Sequence, residues 1–208
     1  MKQISLIILT GIILLLMVSA CVTKQPPIVI DSGSAVPGTQ VSRQGVALPL
    51  LGKGIAVGQP LPASELIDAA TMESIDLNDY QGSVLFLNIV PSVDTKVCEA
   101  QTHLLGEEGD KMPPAIKRFT ISRDTPFAQN RFAREAKLKD LQYLSDYKEG
   151  AWGRSTGLLV DNSRLLARAV VLVDKQGVVQ YIQLVPDISH LPDMERAFQK
   201  AIELNTMP

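Results

Sequence analysis

The chain has 208 residues, 46% of them hydrophobic and 20% charged, which is enough apolar material for one full-sized core and not for two. Its formal net charge is -2, and the lysines and arginines are scattered without a basic stripe, which excludes a phosphate-tracking surface and with it nucleic acid as a partner. The two histidines, His103 and His190, stand far apart with no carboxylates or cysteines at ligand spacing, so the pattern offers no metal site and requires no cofactor.

In chain order, Lys2 precedes an apolar run from Ile4 to Val18, which is followed by Val18-Ser19-Ala20-Cys21. This resembles the lipobox of bacterial lipoproteins, in which signal peptidase cuts before the cysteine and the sulfur carries diacylglycerol. On that reading residues 1–20 are a signal peptide and Cys21 is the lipidation site. The alternative is an uncleaved anchor, for which the run is short against the roughly 20 residues that span a bilayer. Residues 21–44 are rich in Pro, Gly, Ser, Thr and Gln without a period, and are expected to form a flexible tether. Residues 45–208 then make up the folded domain.

Within that domain, Val46–Leu51 and Ile55–Val57 bracket Gly52 and Gly54, which suggests an N-terminal β-hairpin. Val84–Val90 is almost wholly apolar, as a strand covered on both faces must be. Pro91 ends it, and a helix is expected over Thr95–Leu105 with Val97, Ala100, Leu104 and Leu105 on its inner face and Asp94 or Thr95 as cap. Arg118–Ser122 reads as a short strand. Asp124-Thr125-Pro126 then opens a helix to about Lys139, with Ala128, Phe132 and Ala136 on one face. Leu141–Leu144 supplies a further strand, and Trp152 falls in a poorly defined segment where packing is its simplest role. Ala169–Val173 and Val178–Leu184 flank the turn Asp174–Gly177 as a hairpin. Pro192-Asp193 opens a last helix with Met194, Ala197, Phe198, Ala201 and Ile202 at helical spacing. The order implies an α/β fold: a mixed central sheet with helices on both faces and the final hairpin as an antiparallel edge.

The chemistry points to Pro91–Cys98, PSVDTKVC, at a strand-to-helix junction of the kind where ligands bind in open α/β sheets. Cys98 falls in the first helical turn, near unpaired backbone N–H groups and the positive end of the helix dipole, which favours thiolate over thiol. Thr95, three residues earlier, can direct its hydroxyl to the Cys98 amide and sulfur, and Pro91, with no N–H and a fixed φ, shapes the loop. The chain has two cysteines only. If Cys21 carries lipid, Cys98 is the sole free thiol of an exported protein, where an unused thiol is an oxidation hazard. No Cys-x-x-Cys exists for a disulfide oxidoreductase, and no second cysteine for copper delivery.

Pro-x-x-x-Thr-x-x-Cys is similar to the active-site motif of the peroxiredoxins. Together with DTPFAQNRF at 124–132 and LARAVVLVD at 166–174, it resembles the thiol peroxidase branch over roughly 41–202. The resemblance implies a thioredoxin-like fold. It makes Cys98 the peroxidatic cysteine, Thr95 its hydrogen-bonding partner, Pro91 the shielding proline and Arg168 the guanidinium that holds thiolate and peroxide. Arg131 is the rival guanidinium, with an ion pair inside its own helix as the more ordinary expectation. Phe127 and Phe132 are expected in the core or at a subunit contact. The resemblance also implies hydrogen peroxide and organic hydroperoxides as substrates and a tendency to homodimers. Relatives resolve the sulfenic acid with a second cysteine six residues before the proline of PFAQ, where this chain has Thr120. The expected cycle therefore uses one cysteine, reduced by an external thiol or thioredoxin-like partner. The loss of that cysteine also favours a second reading, a non-catalytic lipoprotein in which the fold acts as a binding or redox-responsive module. The expected location is the bacterial envelope. Val22 after Cys21 points to the outer membrane, facing the periplasm, if the source is Gram-negative.

Overall fold

The computed structural model describes residues 27–109 and 112–207; Cys21 and the apolar run before it lie outside the described residues. The strands in chain order are β1 (Ile30–Asp31), β2 (Gln40–Arg43), β3 (Val46–Leu51), β4 (Glu65–Asp68), β5 (Ser74–Asp76), β6 (Leu85–Ile89), β7 (Lys117–Ser122), β8 (Leu141–Ser145), β9 (Leu159–Val160), β10 (Ala169–Val173), β11 (Val179–Leu184) and β12 (Leu191–Pro192). The α-helices are α1 (Lys96–Gly109), α2 (Pro126–Ala136), α3 (Ala151–Thr156) and α4 (Met194–Thr206).

Seven strands form one sheet in the order β11-β10-β6-β7-β8-β4-β5. The centre, β6-β7-β8, is parallel, and β10 and β11 add an antiparallel edge as the hairpin pattern predicts. The opposite edge, β4-β5, is also antiparallel and was not legible in the short mixed segment Glu65–Asp68. All five residues of β6 are buried because both faces are covered. Leu85, Leu87 and Ile89 join one core cluster with Trp152 and Phe119, while Phe86 packs on the other face with Leu105, Met194 and Phe198. The second face carries α1, α2 and α4, and the first is closed by α3 with the small sheet β2-β3-β9. This is the thioredoxin-like α/β arrangement.

Helix starts follow their caps. The Thr125 hydroxyl accepts from the Ala128 amide with Pro126 in the first turn, and the Asp193 carboxylate accepts from the Arg196 amide. The α2 helix stops at Ala136, earlier than expected, because Lys137 turns into the left-handed region at φ 53°. Trp152, expected in an ill-defined segment, lies on α3 and is buried in the core. The carboxylate of Asp146 accepts from the Trp152 and Gly153 amides at the start of α3, though burial still pushes its carboxyl up from the ordinary value. Gly157 ends α3 at φ 69°, where a Cβ would stand 2.4 Å from the Gly54 Cα, so this crossing of α3 with the loop after β3 requires glycine.

Three expectations need correction. The N-terminal hairpin is β2-β3, turning at Gln44-Gly45, and not Val46–Leu51 with Ile55–Val57. The described part of the 21–44 segment, expected as a tether, is held against the domain: β1 pairs with β12, Val41 is 4% exposed, and Ala35 and Ser42 bond to Leu184 and Pro186. Its prolines and glycines form turns between short paired strands. Finally, the buried face of α1 includes Cys98, Gln101, Thr102 and Leu105; of the apolar positions first chosen only Leu105 is fully buried, and Val97, Ala100 and Leu104 stand to one side of it. Among the described residues no helix is long and apolar enough to cross a membrane.

Candidate active site

Cys98 sits in the first turn of α1, directly after the buried strand β6 and the loop 91–95, and is fully buried. The loop is fixed by Asp124, whose carboxylate accepts from the Ser92 hydroxyl at 2.7 Å, the Val93 amide at 2.8 Å and the Ser122 hydroxyl at 2.7 Å. Its register places the exposed Thr95 so that Oγ1 lies 2.9 Å from the Cys98 Sγ. From the other side Arg168, the residue before β10 and only 2% exposed, directs Nη2 to the same sulfur at 3.3 Å. Two donors, one of them a guanidinium, thus converge on one buried sulfur.

Arg168 is itself held on three sides. Nη1 donates to the Gln101 Oε1 at 2.7 Å, Nε donates to the Ile188 carbonyl at 2.9 Å, and Nη2 faces the sulfur. Gln101 continues inward, its Nε2 donating to the Asn88 Oδ1 at 2.6 Å. Asn88 donates through Nδ2 to the Thr120 Oγ1 at 3.0 Å and to the Thr102 Oγ1 at 3.3 Å. Thr120 lies on β7 directly beside Asn88 of β6. A row of fully buried polar side chains therefore runs from the arginine to the middle of the sheet, each paired, as burial demands.

Of the four residues expected at the site, Cys98, Thr95 and Arg168 meet at the sulfur. Pro91 is buried at the end of β6, at the head of the same loop. Arg131 is elsewhere: it pairs with Asp94 at 2.9 Å on the surface, across to the loop and not within its own helix. Phe132 packs in the cluster that holds Cys98, Val93 and Tyr143, whereas Phe127 is 73% exposed. Burial pushes the Tyr143 phenol up to about 12. His103 faces Glu107 on α1, and His190 faces Asp31. Sequence reasoning missed Gln101, Asn88 and the Ile188 carbonyl. A lone asparagine inside the apolar run LFLNI was the available signal for Asn88; a main-chain carbonyl carries none.

The fold and the site together define a peroxiredoxin: a thioredoxin-like sheet with one cysteine at a strand-to-helix junction, gripped by a threonine hydroxyl and a guanidinium. Comparison with known proteins agrees. The Redoxin family matches residues 56–198. The thiol peroxidase of Halalkalibacterium halodurans is 34% identical over 161 residues, covering 77% of this chain and 96% of its own, and that of Bacillus subtilis is 32% identical over 162 residues, covering 78% and 96%. A crystal structure of a peroxiredoxin-like protein from Aquifex aeolicus superposes with a TM-score of 0.76 at 29% identity, covering 82% of this chain and 99% of that one. The chain belongs to the Redoxin family and, within the peroxiredoxins, to the thiol peroxidase branch of these oxidoreductases.

Proposed function

We propose that this protein reduces hydrogen peroxide and organic hydroperoxides through Cys98 in a one-cysteine cycle. The observation that carries the reading is the convergence of Thr95 Oγ1 and Arg168 Nη2 on the Cys98 Sγ. The thiolate attacks the terminal peroxide oxygen in line with the O–O bond. A sulfur–oxygen bond forms, the O–O bond breaks, and the alkoxide or hydroxide takes a proton to leave as alcohol or water, giving sulfenic acid at Cys98. Arg168 stabilises the charge as it moves from sulfur to the leaving oxygen, and Thr95 donates to the sulfur or to the bound oxygen.

Cys98 is the one cysteine among the described residues, and Thr120 has no thiol to offer. An external thiol therefore attacks the sulfenic acid, expelling water and forming a mixed disulfide, and a second external thiol releases Cys98 as a thiol with its partner oxidised to the disulfide. The protein is anchored through diacylglycerol on Cys21 to an envelope membrane, with the domain on the periplasmic side. Thr120 in place of a cysteine is also the feature that favours a non-catalytic binding module. Stopped-flow mixing with peroxide separates the two: wild type consumes it and forms a dimedone-reactive sulfenic acid, Arg168→Met slows the step about 10²–10³-fold, and Cys98→Ser abolishes it. Peroxide consumption by Cys98→Ser at the wild-type rate would falsify the peroxidase reading.

A further inference from the structure

Two of the three groups that hold the Arg168 guanidinium, the sulfur and Gln101, belong to α1. The third, the Ile188 carbonyl, belongs to the turn between β11 and β12, and that turn is secured by the N-terminal hairpin. The Ile188 amide donates to the Ser42 carbonyl of β2 at 2.9 Å, and the Ser42 amide donates to the Pro186 carbonyl at 2.7 Å. Between these bonds the carboxylate of Asp187 joins the two segments. Its Oδ2 accepts from the Gln44 amide at 2.8 Å, and its Oδ1 accepts from the Ser189 amide at 2.9 Å and from the Ser189 hydroxyl. Gln44 makes its contact from the left-handed region, at φ 50°, a conformation that costs a non-glycine residue.

We infer that Asp187 is a positioning residue for the peroxide step: by pinning the 186–189 turn to the hairpin, it holds the Ile188 carbonyl where it fixes the Arg168 Nε. A guanidinium fixed through Nε as well as Nη1 presents Nη2 to the sulfur in one orientation. Freed at Nε it regains rotamer freedom, and a reactive geometry is lost with small displacements. The direction of the Asp187 titration agrees. Burial works against its charge, but the Ser189 hydroxyl, the Ser189 and Gln44 amides and the nearby His190 outweigh it and lower the carboxyl below its ordinary value. The ordinary alternative is a turn former whose loss only loosens the surface.

The inference rests on the peroxidase reading, and its test uses the full chain. Asp187→Ala removes the carboxylate's bonds to Gln44 and Ser189 and leaves the main-chain bonds of Ser42 in place. Asp187→Asn replaces one oxygen with a donor, so it cannot accept from Gln44 and Ser189 together, and it carries the test should the alanine variant not fold. The expected result is a fall of about 10- to 100-fold in the rate constant with hydrogen peroxide, while alkylation of Cys98 by iodoacetamide, carried out by the same sulfur beside Nη2, becomes no faster than in wild type. A folded Asp187→Asn that reacts with peroxide at the wild-type rate overturns the inference. So does faster alkylation together with a lowered melting temperature, since a loosened structure exposes the buried sulfur. A wild-type chain inert to peroxide sinks the peroxidase reading, and this inference with it.

Discussion

At the scale of single residues, the surroundings of Cys98 contain one polar atom the fold leaves unmatched. The Tyr143 hydroxyl, in the same cluster as the sulfur, is buried and finds no hydrogen-bonding partner among the described residues. Burial raises its phenol from 10 to about 12, so the unfolded chain ionises first as pH rises. The neutral phenol carries no penalty below pH 10, and the folded state loses stability through this group as pH rises from about 10 to about 12, to a limit of about 2–3 kcal/mol. Tyr143→Phe is expected to flatten that alkaline arm. At neutral pH it is expected to leave stability unchanged or raise it by about 1 kcal/mol, because the deleted hydroxyl was desolvated without a bond. Urea midpoints of both proteins at pH 7 and 11 check this; a neutral-pH loss of stability reveals a partner for the hydroxyl.

At the scale of elements, the junction of β6 and α1 depends on a carboxylate from outside it. Asp124 binds Ser92, Val93 and Ser122, and so sets the loop that delivers Thr95 to the sulfur. Asp124→Ala is expected to cost about 1–3 kcal/mol, by leaving buried donors unpaired, and to slow peroxide reduction about 10- to 100-fold by letting Thr95 drift. Denaturant melts and stopped-flow rates measure both, and wild-type rates in the variant would remove Asp124 from the site. The elements that bury mainly apolar faces, β6, β10 and α4, were legible in the sequence because burial there is a matter of hydrophobic patterning. The inner face of α1 was not. It carries Gln101 and Thr102, which are buried because Asn88 on the sheet pairs with both, a reason that lies in another element.

At the scale of the whole molecule, the segment between the proposed anchor and the domain is partly woven into the fold, with β1 against β12 and β2 against Pro186–Ile188. Composition alone assigned it to a tether, because paired strands of two to four residues leave no period to read. The positions of Cys98, Thr95 and Arg168 were legible through a motif; the supports of Arg168, drawn from α1, β6 and the turn after β11, were not, since only the fold gathers them. Palmitate labelling tests the anchor: in the bacterial host the full chain is expected to take up label, and Cys21→Ala to lose it. Label retained by that variant overturns lipidation at Cys21.

Thr120 limits what its own position can become. Its oxygen accepts from the Asn88 side-chain amide in the middle of the sheet, and a thiol is a weak acceptor, so a cysteine there would leave a desolvated N–H poorly matched and slacken the row that ends at Arg168. Thr120→Cys is therefore expected to lower stability rather than simply add a second sulfur, because the position is already in use as an acceptor inside the sheet.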